Sequence, residues 1–331
     1  MSTGAGASDL LHAEDTGLEQ IVRGEKAVAA RSPLQLFWRR FRKDKVAMVA
    51  LGFIVVLVLV AILAKPITHL VGAPAPNVQN SDALDDFGLP EGISSEHIFG
   101  VDPVGRDVFS RVVYGAQVSL TVAFVGTGLS VLFGTILGTV SAYYRGWTDT
   151  FIARTLDVLL AFPVLLLGLG LASACSSEDG CVGGLIEPGL KVVICIIVLA
   201  NTPYVARIIR GQVLSLREKE FIEASRSLGA SNMRIMVRDI IPNLVAPIIV
   251  YATLFIPANI LLEAALSFLG VGVQPPRPSW GDMLADAISI FNVAWWFMFF
   301  PGMALLLTVL AFNLVGDGLQ DALNPKGTRS S

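Results

Sequence analysis

Charged residues gather in one short stretch of this chain, EASRSLGASNMRIMVRDIIPN at positions 223–243, which separates two long apolar runs. Acidic and basic side chains are mixed there on both sides of Gly229. Such side chains stay in water or pair with other groups, because moving them into an apolar environment costs free energy. The stretch therefore predicts a segment that leaves the apolar surroundings of its neighbours, and we expect no covalent chemistry in it.

Other residues that could do chemistry are scattered. His12, His69 and His97 lie in different parts of the chain without cysteines at ligand spacing, so we expect no metal site. The phosphate-binding patterns GxxxxGKS and GxxxxGKT are absent from the whole sequence, so ATP-driven work would need another subunit. We expect no catalytic residue, no cofactor bound by this chain and no nucleic-acid partner.

The composition is that of an integral membrane protein. Hydrophobic residues make up 53% of the 331 residues, charged residues 15%, and the mean hydropathy is +0.66, whereas soluble domains carry about 25% charged residues. A helix needs about 20 apolar residues to cross a bilayer. Uncharged runs of about this length predict an all-α polytopic protein with six transmembrane helices. The runs are 46–64, 112–144, 158–177, 192–206, 240–262 and 287–316.

The distribution of Lys and Arg orients these spans. Basic residues precede the first run and fill the loop between the fourth and fifth runs, whereas the alternate loops are acidic. This bias predicts cytoplasmic N and C termini. The expected parts are a flexible cytoplasmic tail (1–32), an amphipathic cytoplasmic elbow (33–45) and a transmembrane domain (46–325), with outer loops at 65–111 and 270–292 and an inner loop at 214–243. For 33–45, the alternative is a plain basic flank that obeys the same charge rule.

Two of the three cysteines lie close together in the sequence. Cys175 and Cys181 flank a short polar segment that the charge bias places outside, where disulfides can form. A disulfide between them and a pair of unpaired thiols are both open interpretations, because spacing does not establish geometry. Cys195 lies in the fourth apolar run.

The inner loop has the pattern of two helices joined by a turn. Residues 214–228 favour a helix with Leu214, Phe221 and Leu228 on one face. Gly229 is placed to end that helix with positive φ. Ser231 can cap a second helix running to 241, and Pro242 would open the next span. Held at both ends by spans, this loop is suited to act as a lever; an inert loop is the alternative.

Local sequence also marks features inside the spans. Gly134 and Gly138 are four residues apart, a spacing that lets two helices approach closely. Pro163 predicts a kink in the third run. Asp157, just before it, is expected to cap a helix or to form an ion pair.

The inner loop resembles the EAA loop of ABC importer permeases. Glu223-Ala224-Ser225, then Gly229, and Ile241-Pro242 at the end carry the likeness. The departures are Ser225 for alanine, Asp239 where isoleucine is usual and Ile241 for leucine. Further blocks are similar to the C subunits of dipeptide/oligopeptide permeases and together span most of 34–325. They are LFWRRFRKDKVAMVAL, FGVDPVGRDVFSRVVYGAQVSL, DVLLAFPVLLL and EAALSFLGVGVQPPRPSWGDML.

The resemblance implies a type I ABC importer permease fold in a bacterial cytoplasmic membrane. It implies a non-catalytic subunit that forms half of the translocation pathway for di-/oligopeptides. The implied partners are a homologous B-type permease in a heterodimer, one or two ABC ATPase subunits that bind ATP and Mg, an extracytoplasmic peptide-binding protein and the lipid bilayer. We call 214–243 the coupling loop, because the likeness implies that it contacts the ATPases. The implied contact residues are Glu223, Ala224, Ser225, Gly229, Ala230, Ser231 and Pro242.

An ion-coupled secondary transporter is the alternative, but such proteins usually carry ionisable groups at mid-membrane, and here the span centres are uncharged. A membrane-embedded enzyme would need clustered His, Asp or Cys. Asn259 and Glu263 are candidates for the translocation path, with helix–helix hydrogen bonding as the alternative. Trp280, Trp295 and Trp296 are predicted to anchor the outer membrane interface.

Overall fold

The computed structural model describes residues 33–175, 180–181, 184 and 186–323, and these form helices joined by loops. The predicted tail at 1–32 lies outside the described residues. The helices are α1 (Pro33–Phe41), α2 (Lys45–Ile62), α3 (Ala64–Val71), α4 (Val108–Tyr144), α5 (Gly146–Ala161), α6 (Val164–Ala174), α7 (Leu190–Leu216), α8 (Glu220–Ser227), α9 (Asn232–Phe268), α10 (Trp280–Ala287) and α11 (Trp295–Leu323).

Five described helices are long and apolar enough to cross a membrane: α2, α4, α7, α9 and α11. A sixth crossing exists only if α5 and α6, bent by 88° at their junction, count as one span. The third run therefore holds two helices joined by a bend, and the kink predicted at Pro163 is confirmed. Phe162 has ψ of 129°, because a residue before proline is driven out of the helical region.

The centre of the bundle is the pair α4 and α7, which pack closely through small residues of α4. A Cβ atom added at Gly134 would lie 2.5 Å from the Val205 Cβ atom, and one added at Gly138 would lie 2.5 Å from the Ala206 carbonyl oxygen. These distances leave no room for a side chain. The close approach predicted from the glycine spacing is confirmed.

The N-terminal helices pack on the edge of this bundle. In α1, Phe41 is buried while Arg39 and Arg40 are exposed, so the helix is amphipathic. Asp44 begins α2 by accepting hydrogen bonds from the Val46 and Ala47 amides, both at 3.0 Å. One side of α2 then packs against α11, and its other side is exposed, as expected of a helix that faces lipid.

The loop between α3 and α4 folds over the end of the bundle. It ends at Asp107, short of the expected 111, because the Asp107 carboxylate accepts from the Ser110 amide at 2.7 Å and begins α4. The Trp296 indole donates to the Val101 carbonyl at 3.1 Å. Trp280 is also buried. Their predicted role as interfacial anchors is therefore wrong, since both indoles find hydrogen-bond partners within the protein.

Candidate functional site

The coupling loop begins with a break that its sequence did not indicate. The expected helix over 214–228 is wrong: α7 ends at Leu216, and α8 starts at Glu220. Between them, the Arg217 guanidinium donates to the last carbonyls of α4, those of Ala142 at 3.1 Å and Tyr143 at 2.6 Å. These contacts hold the chain at the C-terminal end of α4.

Gly229 ends α8 as predicted. Its φ is +78°, a left-handed conformation that glycine adopts without steric cost. The Gly229 amide donates to the Arg226 carbonyl at 3.0 Å, and the Ala230 amide donates to the Ser225 carbonyl at 3.1 Å. These bonds satisfy carbonyls that the end of a helix leaves free. A Cβ atom at Gly229 would meet nothing within 4 Å, so only the backbone conformation requires glycine here.

The second helix of the loop does not end at 241 as expected. Ser231 precedes it and accepts from the Arg234 amide at 3.4 Å, and the helix then continues to Phe268. A π-helical segment, Ile235–Ile240, lies just before Pro242. This wider turn accommodates proline, which has no amide hydrogen to donate to the preceding turn. Because the helix is unbroken, the second helix of the coupling loop and the fifth apolar run are one element.

The residues predicted for ATPase contact are exposed or half-buried; those from Glu223 to Ser231 lie on α8 and the turn after it, whereas Pro242 lies about three turns further along, in α9. Glu223, Ala224, Gly229, Ser231 and Pro242 are exposed, and Ser225 and Ala230 are half-buried. The opposite side of α8 is anchored, because Ile222 is fully buried against α7 and α9.

Sequence reasoning missed the apolar side chains beside this turn. Leu228 is 88% exposed and Met233 is 63% exposed, although a continuous helix would have placed Leu228 on the packed face. Leu228 points outward because the helix ends there and Gly229 reverses the chain. A leucine directly before a helix-ending glycine is the signal that could have identified it.

Polar contacts hold the loop against the C-terminal end of α4. The Tyr143 hydroxyl donates to Asn232 Oδ1 at 2.8 Å, and the Arg145 guanidinium donates to Glu218 Oε1 at 2.5 Å. The loop is thus joined to α4 by side chains as well as to α7 and α9 by the backbone.

Ion pairs hold α5 against α7. Arg210 donates twice to the Asp149 carboxylate, at 2.7 Å each. Arg207 donates to Asp157 at 2.7 Å, which confirms the ion-pair interpretation of Asp157. Bidentate arginine–carboxylate pairs are strong and geometrically specific. They hold the bent α5–α6 element against the central helix.

Asn259 and Glu263 face neighbouring helices of this chain, and both are buried. The Asn201 amide donates to Asn259 Oδ1 at 2.6 Å, and the Asn259 amide donates to Thr127 Oγ1 at 2.7 Å. The Ser119 hydroxyl donates to Glu263 at 2.9 Å. These contacts favour the helix–helix interpretation over a place on the translocation path.

The remaining candidate residues lie elsewhere. Cys175 and Cys181 are joined by a disulfide, and Cys195 is a free thiol. His97 Nδ1 lies 3.0 Å from Asp107 Oδ2. Within the described ranges, no group of three or more His, Cys, Asp or Glu side chains could hold a metal ion.

Two protein families match this chain. Residues 130–329 match the family described as binding-protein-dependent transport system inner membrane component. Residues 32–86 match the N-terminal transmembrane domain of oligopeptide transport permease C. Together they include the coupling loop and the helices that pack around it.

Relatives and solved structures agree with this. The chain is 40% identical over 302 residues to the dipeptide transport system permease protein DppC of Alkalihalophilus pseudofirmus, covering 91% of this chain and 93% of that protein. It is 43% identical over 296 residues to the glutathione transport system permease protein GsiD of Escherichia coli O6:K15:H31, covering 89% of this chain and 91% of that protein. The fold is similar to that of a chain of the inward-facing methionine ABC transporter MetNI, with a TM-score of 0.53 and 19% identity. The match covers 65% of this chain and 96% of that chain. The chain therefore belongs to the binding-protein-dependent transport inner membrane components and is a peptide-type ABC permease, a multi-pass protein of the bacterial cytoplasmic membrane.

Proposed function

We propose that this chain is the C-type permease subunit of an ATP-driven importer of di-/oligopeptides. It forms half of the translocation pathway and pairs with a homologous B-type permease as a heterodimer. One or two ATPase subunits supply bound ATP and Mg, and an extracytoplasmic binding protein delivers the peptide. This chain itself does no covalent chemistry.

The observation that carries the proposal is the apolar tip of the coupling loop. Leu228 and Met233 are exposed on either side of the Gly229 turn, while Ile222 anchors α8 from behind. Exposed apolar side chains rimmed by charged ones mark surfaces that contact another protein. A short helix held in this way is suited to dock in a groove of the ATPase. The resemblance of residues 223–231 to the EAA loop implies the same contact.

The clamp at the inner end of α4 supports a lever role for the loop. ATP binding closes the ATPase pair and draws the two coupling loops of the permease pair together. In this chain, that movement reaches α4 through Arg217 and Tyr143, and α9 through the unbroken helix. The permease pair then opens outward, receives the peptide, and releases it inward after hydrolysis.

The docking surface is tested by crosslinking in the assembled transporter. Leu228→Cys and Ser225→Cys, each in a Cys195→Ser background, are expected to crosslink to an ATPase subunit. Phe87→Cys is the matched control, since Phe87 is as exposed as Leu228 but lies on the outer loop. An assembled complex in which neither coupling-loop cysteine crosslinks would overturn the docking assignment. Transport that persists without any ATPase, and stops with a protonophore, would favour the ion-coupled alternative.

The cargo is tested by competition. The names of the relatives include a dipeptide system and a glutathione system, so dipeptides, longer peptides and glutathione are the substrates to compare. In a strain lacking this chain, uptake of a labelled dipeptide is expected to return with the wild-type gene and to be competed by unlabelled peptides. Competition by glutathione alone would assign the chain to glutathione transport instead.

A further inference from the structure

A fully buried carboxyl group lies in the outer part of α9 and is held by hydroxyl groups. Glu263 is 0% exposed. Its Oε2 atom accepts from the Ser119 hydroxyl at 2.9 Å, and its Oε1 atom accepts from the Ser267 hydroxyl at 2.8 Å. Among the described residues, no Lys, Arg or His forms an ion pair with it. Burying a carboxyl group without a cationic partner is costly, and the hydrogen bonds from Ser119 and Ser267 partly offset that cost.

The hydroxyl chain continues from Glu263 to α10. The Ser279 hydroxyl donates to Ser267 Oγ at 3.3 Å and accepts from the Asp282 amide at 3.2 Å, which begins α10. The backbones are also in close contact, because a Cβ atom added at Gly281 would lie 2.6 Å from the Ala264 Cα atom. The outer end of α9 and the first turn of α10 are therefore held as one unit.

The same group also reaches α4. Ser119 is a residue of α4, and the Trp280 indole at the start of α10 donates to the Val112 carbonyl of α4 at 3.0 Å. Glu263 thus lies where α4, α9 and α10 meet, with a hydrogen bond to α4 and a hydroxyl chain to α10.

We propose that Glu263 is a positioning residue that carries movement of the coupling loop to α10 on the outer side. The inference rests on the proposed function and deepens it. The helix that begins in the coupling loop and holds Glu263 near its other end is 37 residues long, about 55 Å at the usual rise of a helix. A tilt imposed on its inner end displaces the carboxyl, and the hydroxyl chain moves α10 with it.

The test measures a distance on the outer side of the assembled transporter in lipid nanodiscs. Spin labels are placed at Ile288→Cys, directly after α10, and at Lys65→Cys on α3, both exposed, in a Cys195→Ser background. In the wild type, ATP with vanadate is expected to shift the distance between the labels. In Glu263→Ala, that shift is lost while ATP hydrolysis continues, and peptide transported per ATP falls about tenfold, within the usual range of coupling between sites. Glu263→Gln retains the shift, because its amide can bond to the same hydroxyls.

The same distance between the two spin labels is measured in a control variant. Ser130→Ala removes another buried hydroxyl of α4, one that bonds to the Gly126 carbonyl at 2.7 Å, and is expected to leave the shift unchanged. A normal shift in Glu263→Ala would overturn the inference. If that variant does not assemble, a normal shift in Ser267→Ala would overturn it instead. A wild-type complex without ATPase activity would count against the proposed function rather than against the role of Glu263.

Discussion

The Tyr143 hydroxyl, at the C-terminal end of α4, donates a hydrogen bond to Asn232 Oδ1, in the first residue of α9, across 2.8 Å. Tyr143 and Asn232 are 89 residues apart in the sequence. Arg217 lies beside them, with its guanidinium carbon 6.0 Å from the centre of the Tyr143 ring. One aromatic side chain therefore contacts the coupling loop on both sides of α8, before it at Arg217 and after it at Asn232, and links the loop to α4.

Removal of this single hydroxyl is expected to weaken coupling without unfolding the protein. Tyr143→Phe keeps the ring against Arg217 but removes the bond to Asn232, a loss of about 1 kcal/mol. Peptide transported per ATP is expected to fall about fivefold, as measured in proteoliposomes. Tyr144→Phe is the control, because the Tyr144 hydroxyl has no hydrogen bond among the described residues. Equal transport in both variants would contradict a role for this bond.

A comparison of Gly229 with Gly211 separates the effect of backbone conformation on stability from the effect of side-chain packing. A Cβ atom would meet nothing within 4 Å at either position, but only Gly229 has positive φ. Gly229→Ala is expected to destabilise the loop by about 1–2 kcal/mol, and Gly211→Ala, inside α7, to stabilise its helix by up to about 1 kcal/mol. Thermal unfolding and crosslinking of the loop to the ATPase would check both. Similar effects of the two changes would exclude a special backbone at Gly229.

The centre of the bundle is expected to reject even one added methyl group. In Gly138→Ala, the new Cβ atom would lie 2.5 Å from the Ala206 carbonyl oxygen of α7, and backbone cannot move aside cheaply. We expect a loss of about 1–3 kcal/mol and a lower yield of assembled protein. Gly128→Ala, on an open side of the same helix, is expected to be neutral. A well-assembled Gly138→Ala protein would show that α4 and α7 pack less closely than described.

The start of α10 is expected to make stability depend on pH. Burial and the nearby Asp286 raise the pKa of Asp282 above its usual 3.8, and Arg111 and Arg106 partly offset this. Because the folded protein holds this proton more tightly than the unfolded chain, the stabilisation is full below pH 3.8 and is lost as pH rises through the raised pKa. We expect the melting temperature to fall less with rising pH in Asp282→Asn than in the wild type across this acidic range, because the asparagine cannot lose a proton. Parallel slopes would contradict the assignment.

The disulfide gives a direct test of which side each loop faces. With a membrane-impermeant maleimide on intact cells, Cys175→Ser is expected to label at the freed Cys181, and the wild type only after reduction by an impermeant phosphine. Leu228→Cys in a protein without other cysteines should label only after permeabilisation. Labelling of that cysteine in intact cells would reverse the orientation inferred from Lys and Arg.

Features that depend on a few neighbouring residues could be predicted from the sequence. Gly229 and Pro163 act through their own backbone stereochemistry, so the helix end and the kink were both foreseen. The break at Arg217 was not, because its partners are carbonyls of α4 more than 70 residues away. The buried indoles of Trp280 and Trp296 have the same cause: their acceptors at Val112 and Val101 are distant in sequence. Contacts between distant segments, rather than local preference, decided these positions.

The pairing of α2 with α11 has a consequence for how the protein is made. A Cβ atom at Gly318, near the C-terminal end of α11, would lie 2.5 Å from the Ala47 Cβ atom, so the first and last long helices are close neighbours. During synthesis, α2 enters the membrane long before its partner exists. The helix is stable in the membrane without its partner, because residues 46–62 are uncharged and apolar on every side. Val49, for example, is 75% exposed even in the complete bundle. The last helix to be inserted therefore completes the packing of the first.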